Sequence, residues 1–381
     1  MLFEVKQKVG IWMRILILAN NDVGLYKFRK ELIEELIYPG SYISKRVGEP
    51  CEVYVSLPDG KFVQKLEKIG CKYINTPVDR RGVNPLKDFG LLMLYRKILK
   101  KIKPDIVLGY TIKPNIYGGM ACAEKNIPYV CNITGLGTAV ENKGLLQTIA
   151  LILYGFALRK VQTVFFQNSE NERFFTKHKL CLGKHKMLPG SGVNLDYYQV
   201  KDYPKTHTID FVFIARVMKE KGIDQYLDAA KVIRKKYPQT RFHICGFCEQ
   251  DYEDQINEME KAGIIIYHGL VADMRVIYEQ IHCTVHPTYY PEGLSNVLLE
   301  SAASGRPIIT TNRSGCREVV DDGVNGYVVK ERDSKDLIEK IEKFIDLSWG
   351  NKKQMGLLGR KKVEKEFDRR IVVGKYLAEI I

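Results

Sequence analysis

A chain of 381 residues is long enough for two domains, each able to bury its own core. With 45% hydrophobic and 27% charged residues, and no internal repeat or low-complexity tract, the composition excludes disordered and fibrous classes. The net charge of +14 is one-sided: residues 1–200 hold 30 Lys and Arg against 17 Asp and Glu, whereas residues 201–381 hold 29 against 28. Such an excess fits an anionic partner of the first half (membrane phospholipid, a phosphorylated lipid or nucleic acid) or a merely solvated basic face.

Residues 1–10 are mixed polar and Arg14 interrupts the apolar run that follows, so no secretory signal is expected and Met13 is a candidate natural start. Residues 14–19 form a short continuous apolar run, as in a strand covered on both faces. Asn20 to Gly24 is a turn cluster, and 26–37 then has helical spacing through Phe28, Leu32, Ile33 and Leu36. A strand at 51–56 and a helix at 62–69 follow, then a long basic helix at 86–102, a strand at 104–109 and a helix at 115–125. Further strands are predicted at 128–132, 161–167 and 186–189. The longest apolar stretch, 145–158, contains Gln147 and Thr148 and is too short for a span of about 20 residues.

The pattern then restarts. Strands are predicted at 209–215, 240–245, 264–267, 283–286 and 307–311, with helices at 223–237, 296–304, 336–346 and 358–367. Residues 189–193, with loop-like residues to about 208, read as the linker. The expected domains are therefore 1–195 and 196–367, with a final helix over 368–381 crossing back to the first. Strands alternating with helices imply an α/β fold of two Rossmann-like domains with parallel sheets facing each other across a cleft. Ligands bind such sheets at the carboxyl ends of the strands. Nine scattered Cys fit a reducing cytoplasm, and the lone pair Cys245 and Cys248 reads as buried thiols rather than a redox or metal site.

The chemistry concentrates in residues 291–305, P-E-G-L-S-N-V-L-L-E-S-A-A-S-G. Glu292 stands in a loop after a strand, beside Gly293, and Glu300 stands inside the next helix. A carboxylate accepts two hydroxyls at once, so Glu300 suits a ribose diol and Glu292 a hexose diol. The helix start offers unpaired N–H groups from Leu294, Ser295, Asn296 and Val297 to an anion or sugar oxygen. Arg216 and Lys221 lie five apart at a strand–helix junction, where two cations can bracket a diphosphate. Gly24, after the first strand, permits close backbone approach to a phosphate or simply makes a turn. Lys113 and Asn115, and Thr134 and Gly135, follow strands of the first half. Gly135 and Gly137 lack the third glycine of a dinucleotide fingerprint. No Asp-x-Asp motif is present, and Glu249, Asp251 and Glu253 read as solvated turn residues.

On Arg216 with Lys221, the Glu292-to-Glu300 run, and Asp322 to Gly326, the chain resembles the family 4 glycosyltransferases of GT-B fold. It is nearest the bacterial branch that builds capsule, O-antigen or other glycans on undecaprenyl diphosphate, on which Lys113 to Asn115 and Thr134 to Gly137 also bear. The resemblance covers nearly the full chain. It implies a retaining transfer of a hexose or N-acetylhexosamine from a UDP-sugar to a lipid-linked saccharide. Arg216 and Lys221 would hold the diphosphate, Glu300 the ribose and Glu292 the donor sugar. The base would sit near Gly246, Gly269 and Leu270, and Gly24 would lie under the phosphate. Lys113, Asn115, Thr134 and Gly135 become acceptor-side candidates. Lys113 stands about where some relatives carry a His, and Thr134 where some carry Glu. His178 and His185 lie late, in a segment reading as strand and linker. The leaving diphosphate itself can take the acceptor proton. No cofactor or metal is expected, because the two cations carry the charge compensation.

The helix at 86–102 interleaves Lys87, Arg96, Lys97, Lys100 and Lys101 with leucines, which suits an anionic membrane surface or packing on the sheet. The stretch 145–158 with Arg159 and Lys160 poses the same pair of alternatives. The expected setting is the cytoplasmic face of the cell membrane, with no nucleic acid, since no recognised module appears. Two rival readings share the architecture: a UDP-sugar 2-epimerase, and a non-catalytic glycosyltransferase-like subunit docked on membranes.

Overall fold

The computed structural model describes residues 12–41, 45, 50–79, 82, 84–137, 144–181 and 183–381; residues 1–11, with the alternative start at Met1, lie outside them. The chain divides into two compact units, Met1–Leu188 with Val373–Ile381, and Pro189–Val372.

The first unit is a seven-stranded sheet in the order β3-β2-β1-β4-β5-β6-β7, parallel throughout. Its strands are β1 (Arg14–Leu18), β2 (Glu52–Leu57), β3 (Lys72–Asn75), β4 (Ile106–Tyr110), β5 (Tyr129–Ile133), β6 (Thr163–Phe166) and β7 (His185–Met187). The central strands are buried on both faces, which is why β1, β4 and β5 read as unbroken apolar runs. The helices are α1 (Asp22–Ile37), α2 (Val63–Ile69), α3 (Pro85–Ile102), α4 (Gly119–Lys125), α5 (Leu145–Ala157) and α6 (Ser169–Lys177), with a π-helical turn at Pro114–Gly118 before α4. Helices α3 and α5 both pack on that turn and on α4, so all three cover one face of the sheet.

The second unit has six parallel strands in the order β10-β9-β8-β11-β12-β13. These are β8 (Ile209–Ile214), β9 (Thr240–Cys245), β10 (Ile266–Tyr267), β11 (Cys283–His286), β12 (Ile308–Thr311) and β13 (Gly326–Val329). Its helices are α7 (Ile223–Lys236), α8 (Glu253–Lys261), α9 (Met274–Gln280), α10 (Asn296–Ala303), α11 (Ser334–Ile345) and α12 (Trp349–Glu366). Helix α13 (Arg369–Ile380) follows, and its residues from Val373 onward cluster with the first unit. There Asn132 donates to the Tyr376 hydroxyl, Gln162 Nε2 donates to the Glu379 carbonyl at 2.6 Å, and Lys375 Nζ to the Met187 carbonyl at 2.7 Å.

Several elements differ from the sequence expectation, each for a local reason. Helix α1 starts at Asp22, four residues early, because the Asn21 side chain caps the Gly24 amide at 2.6 Å. Gly24 therefore lies in the first helical turn and not in a loop. Helix α12 starts nine residues before 358: Ser348 caps it, and Gly356 and Gly359 sit inside it. A Cβ at Gly356 would stand 2.1 Å from the Gly305 carbonyl, so that glycine serves close packing rather than breaking the helix. The segment carrying His178, read as strand and linker, is helix α6, with His178 as its C-terminal cap. Strands β3 and β13 and helices α8 and α9 are additional elements. β3 is half-exposed and polar, and α8 buries only Ile256 and Met259, so neither carries a run of apolar side chains. All nine cysteines are free, eight of them buried, and burial pushes the Cys245 thiol up to about 12.

Candidate active site

Strand order reverses beside the first strand of each unit, between β1 and β4 and between β8 and β11. A doubly wound sheet opens a crevice at that point, beyond the strand carboxyl ends. In the second unit the loop after β8 carries Arg216 and Lys221, and the loop after β11 carries Glu292. Hydrogen bonding of β8 to β11 therefore brings residues some seventy positions apart together.

The junction is tight. Lys221 closes a 3-10 turn at Lys219–Lys221, and Gly222 follows at φ +78. A Cβ there would stand 2.1 Å from the Pro287 carbonyl, so only glycine lets the two loops pass. Lys221 is buried and forms an ion pair with Glu292, while Arg216 pairs with Glu249. The Tyr290 ring lies under both cations, 5.3 Å from the Arg216 guanidinium carbon and 4.7 Å from Lys221 Nζ. Burial alone would raise the Glu292 carboxyl, but the Lys221 charge and the neighbouring His286 ring outweigh it and hold the group well below the usual carboxylate range. Burial likewise disfavours the Arg216 cation, yet Glu249 and Tyr290 more than offset it. His286, the last residue of β11, is buried with Nε2 3.3 Å from Ser295 Oγ and 3.9 Å from Glu292. Burial lowers its pKa, so the ring is neutral near pH 7.

The Glu292 loop is braced from behind. Ser295 N–H donates to the Gly315 carbonyl at 2.8 Å, and Glu318 accepts from the Gly315 amide at 2.7 Å. The Ser295 amide is thus committed, and the Leu294 side chain is core, packed near Gly190. Asn296 and Val297 open α10, where helix geometry leaves their amides without intrahelical acceptors. Glu300, in the second turn, lies against the phenols of Tyr198 and Tyr278 and raises both of their pKa values further above what burial does. Gly246 N–H donates to the Gly269 carbonyl at 2.8 Å, so the ends of β9 and β10 are joined, and Leu270 beside them is exposed.

In the first unit the corresponding ends carry Gly24 after β1, Lys113 after β4, and Thr134 with Gly135 after β5. Thr111, directly after β4, holds φ +71, a strained conformation for a β-branched residue. Lys113 Nζ binds Asp88 of α3 at 2.6 Å, both largely covered. Asn115 is 1% exposed, its Nδ2 donating to the Asn132 carbonyl at 2.8 Å and its Oδ1 accepting from the Tyr129 hydroxyl at 3.2 Å. It braces β5 from within and presents nothing to a ligand, which corrects its place among the acceptor-side candidates. Glu249, read as a solvated turn residue, is instead the partner of Arg216. Tyr290, His286 and Asp88 were missed; only the adjacency of Tyr290 to Pro291 and Glu292 hinted at a role.

Residues 199–362 match the family described as Glycosyl transferases group 1, and residues 48–168 match Glycosyl transferase 4-like. The chain belongs to the GT-B glycosyltransferases of family 4. The transferase is 25% identical to the N,N'-diacetylbacillosaminyl-diphospho-undecaprenol alpha-1,3-N-acetylgalactosaminyltransferase of Campylobacter jejuni, over 96% of this chain and 97% of that one. It is 25% identical to the capsular polysaccharide biosynthesis glycosyltransferase CapM of Staphylococcus aureus, over 84% and 87%. Its fold matches a solved glycosyltransferase of Rickettsia africae with a TM-score of 0.77 at 18% identity, covering 97% and 98% of the two chains. It also matches Anabaena HepE, solved with UDP and glucose, with a TM-score of 0.75 at 18% identity, covering 96% and 98%.

Proposed function

We propose that this transferase moves a hexose or N-acetylhexosamine, with retention of anomeric configuration, from a UDP-sugar to a lipid-linked saccharide in bacterial surface glycan synthesis. The observation that carries the reading is the grouping of Arg216, Lys221, Tyr290 and Glu292 at the β8/β11 crevice. Two cations there suit a diphosphate, and an ionised carboxylate beside them suits the hydroxyls of the sugar it carries. The diphosphate competes with Glu249 and Glu292 for the two cations, which frees Glu292 to accept from the sugar.

In the reaction the bond between the sugar anomeric carbon and the diphosphate oxygen breaks. The acceptor oxygen bonds to that carbon from the same face, and the acceptor proton passes to the departing diphosphate. Arg216 and Lys221 stabilise the charge that grows as UDP leaves. Glu300, with Tyr198 and Tyr278 behind it, receives the ribose. The diphospho-undecaprenol acceptor in the name of the Campylobacter relative supports a polyprenyl-linked acceptor here. The basic first half supports a place at an anionic membrane surface on its cytoplasmic side. Transfer is proposed to need no metal, and undiminished turnover in chelator tests that.

The decisive experiment screens UDP-sugars with bacterial membranes, reading UDP release and labelled glycolipid, with wild type, Arg216→Ala and Glu292→Ala side by side. Full activity in both variants, or epimerised UDP-sugar formed without acceptor, would sink the reading.

A further inference from the structure

Two helices on one face of the first sheet treat their apolar residues in opposite ways. In α3 the apolar residues Leu91, Leu92, Ile98 and Leu99 are core, and Lys97, Lys100 and Lys101 are exposed. Helix α5 does the reverse. It buries only Tyr154 and Ala157 and exposes Leu145, Leu146, Ile149, Ile152 and Phe156, the last two by more than half. At 100° per residue, Leu145, Ile149, Ile152 and Phe156 fall within about 60° of one another, and Tyr154 lies on the far side. A water-facing helix should carry its polar residues on that stripe. This one has no charged residue between 145 and 157.

We infer that the outward stripe of α5 inserts into the surface of an anionic lipid bilayer, and that this helix is the membrane contact of the protein. The inference rests on the lipid-linked acceptor proposed above. With thirteen residues α5 is far short of a span, and no helix among the described residues is long and apolar enough to cross a membrane, so it lies in the interface plane. The charges around it are of the matching sign. Residues 142–169 contain no Asp or Glu, and the exposed Arg159 and Lys160 follow the helix directly. Helix α6, joined to α5 by the edge-on rings of Phe175 and Tyr154 at 5.0 Å, carries the exposed Arg173 and Lys177 but also Glu170 and Glu172 in its first turn, so the positive margin of α5 is Arg159 and Lys160. Helix α3 exposes Leu86, Phe89 and Met93 in its first half, on the same side of the sheet. Helix α3 reaches an acceptor-side residue directly, because its Asp88 binds Lys113. A bilayer on this face therefore lies next to the acceptor-side residues. An aliphatic stripe with a cationic margin distinguishes lipid from a neutral apolar partner.

The test uses the full chain with vesicles of phosphatidylcholine, alone or mixed with phosphatidylglycerol. Ile152→Glu/Phe156→Glu should melt as wild type does, yet lose vesicle binding by on the order of tenfold or more. In Ile152→Trp the introduced indole should shift to the blue on vesicles and be quenched by brominated lipid. Binding equal to wild type in the double variant would overturn the inference. So would an indole indifferent to lipid, or a dimer broken by the double substitution with vesicle binding unchanged, which would assign the stripe to a second copy. UDP release with a soluble acceptor lacking the lipid chain is read in parallel. Lipid binding through α5 without sugar transfer sinks the proposed function and leaves the face intact; transfer with α5-independent membrane binding sinks the face alone.

Discussion

The two units carry the same device, a parallel sheet with one reversal of strand order, and furnish it differently. At β8/β11 the carboxyl ends hold two cations, two carboxylates and a tyrosine, all within contact of a neighbour. At β1/β4 the ends hold a capped glycine, a strained threonine, and a lysine already paired with Asp88. Nearly all of the protein's net positive charge lies in the first half, yet its exposed lysines sit on outer helices such as α3. Net charge and site charge are therefore separate quantities: the near-neutral half holds the assembled electrostatic site.

The sharpest way to break this contrast is to delete site charge. Arg216→Ala should lower UDP-sugar turnover by about 10²–10³-fold, roughly 3–4 kcal/mol of transition-state stabilisation, in a UDP-release assay. Lys97→Ala, which removes an exposed charge from α3, should change it less than about twofold. Equal losses would mean that the total charge matters and not its placement. Next in size is Gly222→Ala, which forces a Cβ against the Pro287 carbonyl at a positive φ and should cost about 2–3 kcal/mol in denaturant unfolding.

Lys221→Met should cost about 2 kcal/mol at neutral pH by leaving Glu292 without its counter-charge. The sign of its pH dependence is diagnostic. In wild type the depressed Glu292 pKa contributes stability that is full above about pH 5 and is lost only as acid approaches the depressed value. In the variant burial raises that pKa, so the deficit should shrink as pH falls towards 4. For His286, lowered by burial, the contribution is present above about pH 6.5 and declines as pH falls further. Comparing the pH 5 and pH 8 unfolding midpoints of wild type with those of His286→Gln measures it. The smallest effect belongs to the first unit: Lys113→Ala should raise the acceptor KM a few-fold, under about 1 kcal/mol, and leave donor hydrolysis unchanged.

The same contrast explains what could be read from the chain alone. The alternation of apolar runs with helical periods marked the strands of both sheets apart from β3 and β13, because strands covered on two faces have no polar side to confuse the pattern. Glu292, Arg216 and Lys221 were legible because each stands a few residues beyond a strand, and Glu300 because it lies in the helix that directly follows the Glu292 loop. Strand adjacency was not legible: the contacts of Arg216 with Glu249 and of Lys221 with Glu292 depend on β8 lying between β9 and β11. Asn115 misled for a related reason. A polar residue after a strand looks available, and only the structure shows its amide spent on the β5 backbone. Two elements, β3 and α8, stand outside the pattern because each has too few apolar side chains to mark it. The exposed stripe of α5 is the converse case, since an apolar run reads the same whether it faces a core or a bilayer.

The return of α13 bears on how this protein is dissected in the laboratory. A fragment ending at Leu188 would lack the partners of Asn132, Gln162 and Thr163, and would uncover the ring of Phe165 that packs 4.9 Å from Tyr376. Expressing the first unit alone thus calls for splicing residues 373–381 back onto it through a short designed loop, or supplying them as a peptide.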